Sequence, residues 1–296
     1  MKVVVQYSGG KDSQACLIWA KKKYGVKNII AVFCDTGWEH QLTYEHILKT
    51  TKDLGVKLII LKSKEYDGMV DLAIKKNRFP STNARFCTEE LKSKPMIDWV
   101  LNQNEHLLMV QGIRASESKS RSNMDKVCRY FKYYFQPYGY TKTGKPKYHS
   151  YRKKEVLKWC EKYDDSIIRP VFNKSSNEVV NYILDNGYEL NPLYKKGSKR
   201  VGCYPCIMSS HSELYNMIKL SPEWIDKVNQ SEIKANSSFF PPTYIPKRFC
   251  SQTDKNGKKY PVVMDIVDYL VGSSEDLYQK EDIYNNSCMS FYGICE

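Results

Sequence analysis

The sequence lacks any run of about eighteen uncharged apolar residues, so it contains no candidate transmembrane helix. Its first residues, MKVVVQYSGGKDS, also lack the basic, apolar and small-residue regions of a secretory signal. There is no internal repeat and no long low-complexity tract. We therefore expect a globular cytoplasmic protein with no membrane partner. With 296 residues, of which 42% are hydrophobic, the chain can form one large core or two modest ones.

Acidic residues are also few. The 33 Asp and Glu are outnumbered by 46 Lys and Arg, which gives a formal charge of +13. This excess favours polyanionic partners such as nucleotides, RNA or DNA, although surplus lysine is equally compatible with a merely well-solvated surface. Ten cysteines in a chain of this kind indicate metal, cluster or thiol chemistry rather than a disulfide framework.

The first third of the chain alternates short β-branched runs with helical patterns, which is typical of a parallel sheet covered by helices. The predicted strands are Val3–Gln6, Ile29–Cys34, Lys57–Leu61 and Leu107–Gln111. The predicted helices are Asp12–Tyr24, Thr43–Leu54, Tyr66–Lys75 and Pro95–Leu101, with later ones at Lys154–Tyr163, Glu178–Asn186, Glu213–Leu220 and Val262–Tyr269. We predict an α/β fold with a doubly wound, mostly parallel sheet and a mainly helical, cysteine-bearing C-terminal region. In such a sheet the loops after Gln6, Cys34 and Gln111 face one crevice.

Changes in composition divide the chain into three parts. We expect a nucleotide-binding α/β domain at residues 1–125, a basic tyrosine-rich insertion at 126–165, and a helical cysteine-bearing region with a tail at 166–296. Within the insertion, Arg129–Lys154 holds eight basic residues, seven tyrosines, two phenylalanines and no acid. Such a segment could bind a nucleic-acid backbone and stack bases, cover the nucleotide as a lid, or form a hairpin packed through its tyrosine rings.

The segment with the strongest chemical signal lies between the first strand and the first helix. It reads Ser8-Gly9-Gly10-Lys11-Asp12-Ser13. Two glycines let backbone N–H groups turn toward an anion, and the following helix adds its positive end, so a phosphate belongs there. Lys11 can neutralise phosphate charge, Ser8 and Ser13 can donate hydrogen bonds, and Asp12 can bind the accompanying Mg²⁺. The spacing differs from that of the Walker loop.

Several segments resemble those of one known family. SGGKDS is similar to the pyrophosphate loop of the adenine nucleotide alpha hydrolases, also called PP-loop ATP pyrophosphatases. The other segments resemble the phosphoadenylylsulfate (PAPS) reductase-like branch of that superfamily. They are Asp35-Thr36-Gly37 with Glu39, Arg85-Phe86-Cys87-Thr88 with Leu91-Lys92 and Pro95, Gly112-Ile113-Arg114-Ala115 with Glu117-Ser118 and Arg121, and Asn191-Pro192-Leu193-Tyr194 before Gly202-Cys203-Tyr204-Pro205-Cys206. They occur in the expected order, and the last eighty residues or so are not covered.

The resemblance implies an enzyme that splits ATP between its α and β phosphates and adenylates an oxygen, which a sulfur nucleophile then displaces. It places Asp35, Thr36 and Gly37 on the adenosine side and Gly112 near the nucleotide. Lys11, Arg114 and Arg121 are available to offset the charge of in-line transfer, together with Asp12 as catalytic residues. For Arg114 and Arg121, the alternative is that they are ordinary surface arginines in salt bridges.

The branch contains more than one chemistry. Sulfonucleotide reductases typically have a degenerate pyrophosphate loop and a C-terminal cysteine motif, whereas this loop is intact and the chain ends with Cys288 upstream of Gly293-Ile294-Cys295-Glu296. We therefore expect an ATP-consuming sulfurtransferase that resembles DNA phosphorothioation or tRNA-thiolation enzymes. Its acceptor would be tRNA or DNA, and its sulfur would come from a donor protein or involve a thiol reductant. The alternatives are a reductase that releases sulfite, and a nucleotide-sensing regulator without turnover. The sequence predicts no oligomeric state.

The cysteines form a second constellation. The turn from Cys203 to Cys206 sets two thiolates within reach of one metal centre, and thiolate-rich sites select zinc or iron–sulfur clusters. Resemblance to adenylylsulfate reductases adds Cys87 and favours a four-iron four-sulfur cluster over zinc or a metal-free thiol pair. Its fourth ligand would be Cys250, with Cys128 or an open iron as alternatives. Two further cysteines, Cys16 and Cys34, fit buried packing positions.

Overall fold

A computed structural model describes residues 1–272 of the protein. Its central element is a sheet of short strands. The strands are β1 (Lys2–Gln6), β2 (Ile29–Cys34), β3 (Lys57–Leu61), β4 (Leu107–Val110), β5 (Val127–Arg129), β6 (Gly139–Tyr140), β7 (Pro146–Lys147), β8 (Asp165–Ile168), β9 (Gln252–Thr253) and β10 (Lys259–Tyr260). Six of them form one sheet in the order β3-β2-β1-β4-β8-β5. All neighbours in this sheet are parallel except β5, which runs antiparallel to β8 at the edge.

Strand β2 lies on one side of β1 and β4 on the other, so the connections from β1 onward lead to opposite edges of the sheet. This is the topological switch point at which open α/β sheets bind ligands beyond the carboxyl ends of their strands. The loops after Gln6, Cys34 and Val110 all lie at this edge of the sheet. The predicted doubly wound, mostly parallel sheet is confirmed.

The strand at the centre shows why this sequence forms a sheet buried on both faces. Successive side chains of a strand point to opposite sides. Val3 and Val5 therefore enter one core while Val4 enters the other, and none of the three is more than 1% exposed. Burial of each valine contributes roughly 1.5 to 3 kcal/mol of hydrophobic stabilisation.

The helices cover this sheet and build a further region beyond it. They are α1 (Lys11–Tyr24), α2 (Gln41–Leu54), α3 (Met69–Lys75), α4 (Phe86–Thr88), α5 (Lys94–Leu101), α6 (Lys119–Ser122), α7 (Lys132–Phe135), α8 (Lys153–Cys160), α9 (Ser176–Asp185), α10 (Pro192–Lys195), α11 (His211–Leu220), α12 (Glu223–Ala235) and α13 (Val263–Gly272). A π-helical turn, Glu89–Ser93, joins α4 to α5. None of the helices within residues 1–272 is long and apolar enough to cross a bilayer.

Three hydrophobic cores organise these layers. One, on the Val3 side of the sheet, includes residues of α1, α2 and α9, and a second, on the Val4 side, includes residues of α5 and α8. The third contains Trp38, Trp224 and Phe239 and joins α3 to the helices from α10 onward. The C-terminal helical region expected from the sequence is therefore present, and its core reaches the loop that follows β2.

Several elements were not anticipated, among them two strands of the main sheet and one long helix. The short strands β5 and β8 add two members to the main sheet from residues beyond 125. Helix α12 was also missed, because its buried face is a narrow stripe of Trp224, Val228 and Ala235 between polar residues. Strands of three or four residues carry too little alternation to be recognised without their partners.

The buried imidazole of His46 on α2 makes stability depend on pH. It is 6% exposed, its Nε2 lies 3.2 Å from Gln14 Oε1, and burial lowers its pKa to about 4. Below pH 6.5, the ordinary pKa of histidine, His46 becomes protonated in the unfolded chain but stays neutral in the folded chain. The free energy of unfolding therefore falls as the pH drops from 6.5 toward 4. We expect His46 to account for about 3 kcal/mol of this loss. Urea unfolding at several pH values would show a shallower fall in His46→Gln; equal slopes would contradict the expectation.

Candidate nucleotide site

The loop between β1 and α1 is shaped by Gly9. Its φ of +84° is favourable only without a side chain, and a Cβ there would lie 2.9 Å from Thr43 Cγ2 and 3.0 Å from Ile47 Cγ1. The chain therefore passes tightly over α2 before α1 begins at Lys11. Gly10 caps this helix without a side-chain hydrogen bond, so the positive end of α1 is directed toward the loop.

The hydroxyl of Ser13 holds this loop closed. Its Oγ donates to Gly10 O at 3.0 Å and accepts from Ser8 N at 3.3 Å, and Ser8 Oγ lies 3.2 Å away. The predicted phosphate loop is thus one hydrogen-bonded unit. Two of its predicted hydrogen-bond donors, Ser8 and Ser13, support each other in the conformation described.

A buried network of charged side chains surrounds the start of α1. Arg114 Nε donates to Asp12 Oδ1 at 2.6 Å, and Lys11 Nζ lies 3.6 Å from Asp12 Oδ2. Glu117 accepts from Arg121, and its Oε1 lies 3.6 Å from Arg114 Nη2. Arg114 is 8% exposed and Arg121 1%, so neither is a solvated surface arginine. Three cations face two carboxylates here, which favours the binding of an anion.

Asp12 is a buried carboxylate with one oxygen left without a hydrogen bond in the described part of the chain. Burial raises its pKa, and the charges of Lys11 and Arg114 oppose that shift. Its Oδ2 is buried and makes no hydrogen bond within the described part of the chain. Mg²⁺ commonly binds one or two protein carboxylates and completes its shell with water and phosphate oxygens. Asp12 therefore fits the predicted Mg²⁺, which would neutralise phosphate charge beside it.

The loop after β4 comes so close to α1 that only glycine fits. A Cβ on Gly112 would lie 2.5 Å from Ser13 N, 2.6 Å from Asp12 C and 2.8 Å from Ser13 Cα. All three are backbone atoms, which cannot move aside as the end of a flexible side chain can. This approach brings Arg114 within reach of Asp12, as the predicted grouping of these two loops requires.

The loop after β2 is held by carboxylates. Asp35 Oδ1 accepts from Gly37 N at 2.9 Å and from Tyr44 OH at 2.7 Å. The buried Glu39 accepts from Thr36 Oγ1 at 2.8 Å. Asp35, Thr36 and Gly37 thus lie in an ordered loop at the end of β2, the neighbour of β1, and their role as nucleotide ligands stays a prediction.

The cysteine turn packs onto this same loop. Tyr204 N donates to Trp38 O at 2.9 Å, and Trp38 Nε1 donates to Pro205 O at 2.9 Å. Cys203 Sγ lies 3.9 Å from Thr36 Oγ1 and 4.0 Å from Glu39 Oε1. The thiol is therefore fixed against the loop after β2.

Two clefts connect the phosphate loop to the cysteine turn. One, with a volume of about 40 Å³, is lined by Ser8, Cys203 and Cys206 among others. The other, about 20 Å³, lies over the ends of β1 and β2. Ser8, Lys92 and Gly202 line both. Small as these volumes are, the thiols and the phosphate loop share a continuous surface.

Two further predicted ligands, Cys87 and Cys250, share the third core with Cys203 and Cys206. Cys87 packs partly buried against the third core, while Cys250 is buried and lines neither cleft. Cys128 lies at β5, with its sulfur 3.6 Å from Arg169 Nη1. Within residues 1–272, no three His, Cys, Asp or Glu side chains are gathered into a group that could hold a metal ion. The set Cys87, Cys203, Cys206 and Cys250 therefore stays a prediction, and Cys288 and Cys295 lie outside the described residues.

Sequence reasoning missed several residues that shape the site. Asn191 Nδ2 donates to Gly9 O at 3.3 Å, and Lys11 N donates to Tyr194 OH at 3.0 Å. Both belong to a segment that the sequence singled out without assigning it a position. No sequence pattern pointed to Lys227. Its Nζ lies 4.2 Å from the Trp38 ring centre. Burial lowers the pKa of Lys227, although the charges of Glu39 and Cys203 act in the opposite direction.

Comparison with known proteins gives consistent matches. The phosphoadenosine phosphosulfate reductase domain family matches residues 2–209. A 37.8 kDa protein of Escherichia phage 186 is 28% identical over 92% of this chain and 86% of its own. A Methanocaldococcus jannaschii protein is 28% identical over 76% of this chain, but the match spans only 40% of that longer protein. The 7-cyano-7-deazaguanine synthase of Clostridium acetobutylicum is 43% identical over 21% of this chain and 28% of its own. Among solved structures, phosphoadenylyl-sulfate reductase of Candida auris is similar over 70% of this chain and 83% of its own, with 17% identity and a TM-score of 0.43.

Proposed function

The chain belongs to the phosphoadenosine phosphosulfate reductase domain family, within the PP-loop superfamily, and we propose that it is an ATP pyrophosphatase that adenylates an acceptor for sulfur transfer. The observation that carries the proposal is the grouping of Lys11, Asp12 and Arg114 at the β1–β4 switch point. This grouping places two cations and one carboxylate beside a loop whose backbone suits a polyphosphate. The acceptor we propose is a nucleic acid, because the protein carries a charge of +13.

In the proposed first step, an acceptor oxygen attacks the α phosphorus of ATP. The bond from that phosphorus to the bridging oxygen breaks, and pyrophosphate leaves with the electron pair. Lys11 and Arg114 stabilise the charge on the phosphate oxygens, and Asp12 would hold Mg²⁺, which would supply further positive charge to them. Arg121 acts as a positioning residue, because it pairs with Glu117, whose carboxylate also lies beside Arg114.

In the proposed second step, sulfur displaces AMP from the activated atom. Cys203 takes the terminal sulfur of a persulfide donor, whose thiol leaves. The resulting persulfide attacks the acceptor atom that carries the adenylated oxygen, and this oxygen leaves as part of AMP. A thiol reductant then cleaves the sulfur–sulfur bond, so that one sulfur stays on the acceptor. Cys203 is suited to this role because its cleft includes Ser8 of the phosphate loop.

The products of ATP cleavage test the first step. With ATP labelled separately at the α and γ positions, we expect AMP and pyrophosphate in equal amounts, and faster release when single-stranded RNA or DNA is present. Release of ADP with inorganic phosphate would contradict the proposal. Tight ATP binding with no cleavage in the presence of any nucleic acid would favour a regulatory protein instead.

Replacement of Cys203 by serine separates the two steps. We expect Cys203→Ser to keep pyrophosphate release near the wild-type rate, because Ser8, Lys11 and Asp12 are unchanged, and to lose transfer of label from a radiolabelled persulfide to the acceptor. Cys160→Ser is the matched control, because burial raises the pKa of Cys160 to about 12 and keeps it a thiol. Equal transfer by wild type and Cys203→Ser would exclude Cys203 as the sulfur carrier.

We further propose that Cys87, Cys203, Cys206 and Cys250 hold a four-iron four-sulfur cluster. Neither proposed step requires this cluster, and among the described residues these thiols are not gathered into one metal-binding group. Anaerobic purification followed by iron, sulfide and zinc analysis tests it. Iron and sulfide that are both lost in Cys206→Ser but retained in Cys16→Ser would support the cluster.

A further inference from the structure

A cavity much larger than the two clefts lies away from the phosphate loop. It has a volume of about 530 Å³, within the ordinary range for small-molecule sites, and none of residues 8–13 lines it. We call it the tyrosine pocket, after the rings of Tyr133, Tyr134, Tyr138, Tyr148, His149 and Tyr151 in its wall. All six belong to the basic insertion identified in the sequence.

The rings form an ordered aromatic cluster around His149. Its ring centre lies 5.7 Å from that of Tyr133, 5.7 Å from that of Tyr134 and 5.2 Å from that of Tyr138. Burial lowers the pKa of His149 to about 4, so the imidazole is uncharged at neutral pH. This part of the wall is therefore an uncharged aromatic surface on which a flat ring can stack, while Arg85, Glu89 and Lys94 place charges elsewhere in the lining.

Two of these tyrosines support the pocket, and two others face its opening. Tyr134 OH donates to Tyr151 O at 2.7 Å, and Tyr151 OH donates to Asp98 at 3.1 Å, so these hydroxyls fasten the insertion to α5. Tyr138 is 51% exposed and Tyr148 38% exposed. These two rings have apolar faces in contact with water, which a ligand would cover.

Polar groups complete the pocket. Arg85, in its wall, has a buried Nη1 with no hydrogen-bond partner among residues 1–272. Ser120, Asn123 and Ser150 add donors and acceptors. A planar ligand with hydrogen-bonding edges fits this combination better than an aliphatic one.

Positive charge extends from the pocket along the hairpin of β6 and β7. Its exposed lysines, Lys142, Lys145 and Lys147, form no ion pair within the part of the chain that the structure describes. Tyr138 and Tyr148 flank the same hairpin, and Tyr138 N donates to Lys147 O at 2.9 Å. Stacking rings and backbone-binding cations thus occur side by side, as single-stranded nucleic acids require.

We propose that the tyrosine pocket binds an unpaired nucleobase of a single-stranded nucleic acid, with the hairpin lysines on the flanking phosphates. The pocket is joined to the nucleotide site by short segments. The π-helical turn ends with Lys92 lining the clefts and Ser93 lining the pocket, and Ser120 precedes the buried Arg121. Identification of this nucleic acid as the acceptor rests on the proposed function, whereas the binding itself does not.

Fluorescence anisotropy with labelled twelve-nucleotide probes tests the proposal, with single-stranded RNA, single-stranded DNA and a DNA duplex as separate arms. We expect one single strand or both to bind more tightly than the duplex. Tyr138→Ala and Tyr148→Ala should each weaken this binding about 5- to 150-fold, and Tyr138→Phe should retain it, since stacking depends on the ring. Lys145→Ala should make the slope of log binding constant against log salt concentration shallower by about 0.7, the value for one phosphate contact on a single strand.

Two controls make the result specific. Tyr140→Ala removes a 65% exposed tyrosine of the same hairpin that does not line the pocket, so binding should stay near the wild-type value. Lys11→Ala should bind the probes normally, because Lys11 does not line the pocket. If the wild-type protein bound the probes but released no pyrophosphate from ATP, only the proposed function would be overturned. The pocket proposal would be overturned if both Tyr138→Ala and Tyr148→Ala bound the probes with wild-type affinity. It would also be overturned if Tyr140→Ala lost as much affinity as they do, or if single strands bound no more tightly than the duplex.

Discussion

Replacement of Lys11 by alanine is expected to lower pyrophosphate release from ATP by about a hundred- to a thousandfold. Lys11 is the first residue of α1, it lies 3.6 Å from Asp12, and its Nζ is 5.2 Å from the Tyr194 ring centre. An ammonium group held in this buried position stabilises charge that develops on the phosphate oxygens, and water cannot replace it in a fixed geometry. Steady-state rates at saturating ATP measure the effect.

Lys23→Ala is the matched control, because it removes an exposed lysine from the last turn of the same helix. We expect the control to retain the wild-type rate, and thermal unfolding should show that both variants are folded. A Lys11→Ala rate within threefold of the control would mean that the cation does not act on the transferred phosphate. The site would then bind nucleotide without the proposed chemistry.

Gly112→Ala is expected to weaken ATP binding by at least about tenfold and to lower the free energy of unfolding by about 1 to 3 kcal/mol. The added methyl would lie 2.5 to 2.8 Å from backbone atoms of Asp12 and Ser13, so the loop after β4 must move away from α1. That movement withdraws Arg114 from Asp12, which the wild-type geometry brings to 2.6 Å. Calorimetric titration with ATP and urea unfolding measure the two effects.

Gly139→Ala provides the comparison for this variant. A Cβ at Gly139 meets no atom within 4 Å, and its backbone does not adopt a positive φ. We expect its stability and its ATP affinity to stay close to those of the wild type. If Gly112→Ala behaved in the same way, the close packing of the two loops would not be required for nucleotide binding.

The parts of the site that could be predicted from sequence are those made by neighbouring residues. The segment from Ser8 to Ser13 carries its glycines, its cation and its helix start within six positions, so its conformation and charge are visible locally. The partners of Asp12 could be anticipated only through the order of motifs, because Arg114 is about a hundred residues away. The alternative that Arg114 and Arg121 are surface arginines could not be excluded before their burial was known.

The parts that could not be predicted depend on long-range packing. Strand β8 is recognisable only once β4 and β5 lie on either side of it, and α12 only once Trp224 enters the third core. Lys227 lies on that helix, so its position beside Trp38 could not be foreseen. The tyrosine-rich insertion was noticed from composition, but a pocket emerges only when residues 85–97 and 120–124 complete its wall.

The double attachment of Trp38 to the cysteine turn has a mechanical consequence. Because Tyr204 and Pro205 are both bonded to Trp38, and Cys203 pairs with Glu39 as an isolated bridge, the turn and the loop after β2 behave as one rigid piece. A displacement of that loop by an arriving ligand would carry the sulfur with it. The spacing between the Cys203 thiol and the loop after β2 would thus be preserved when the helices around them move.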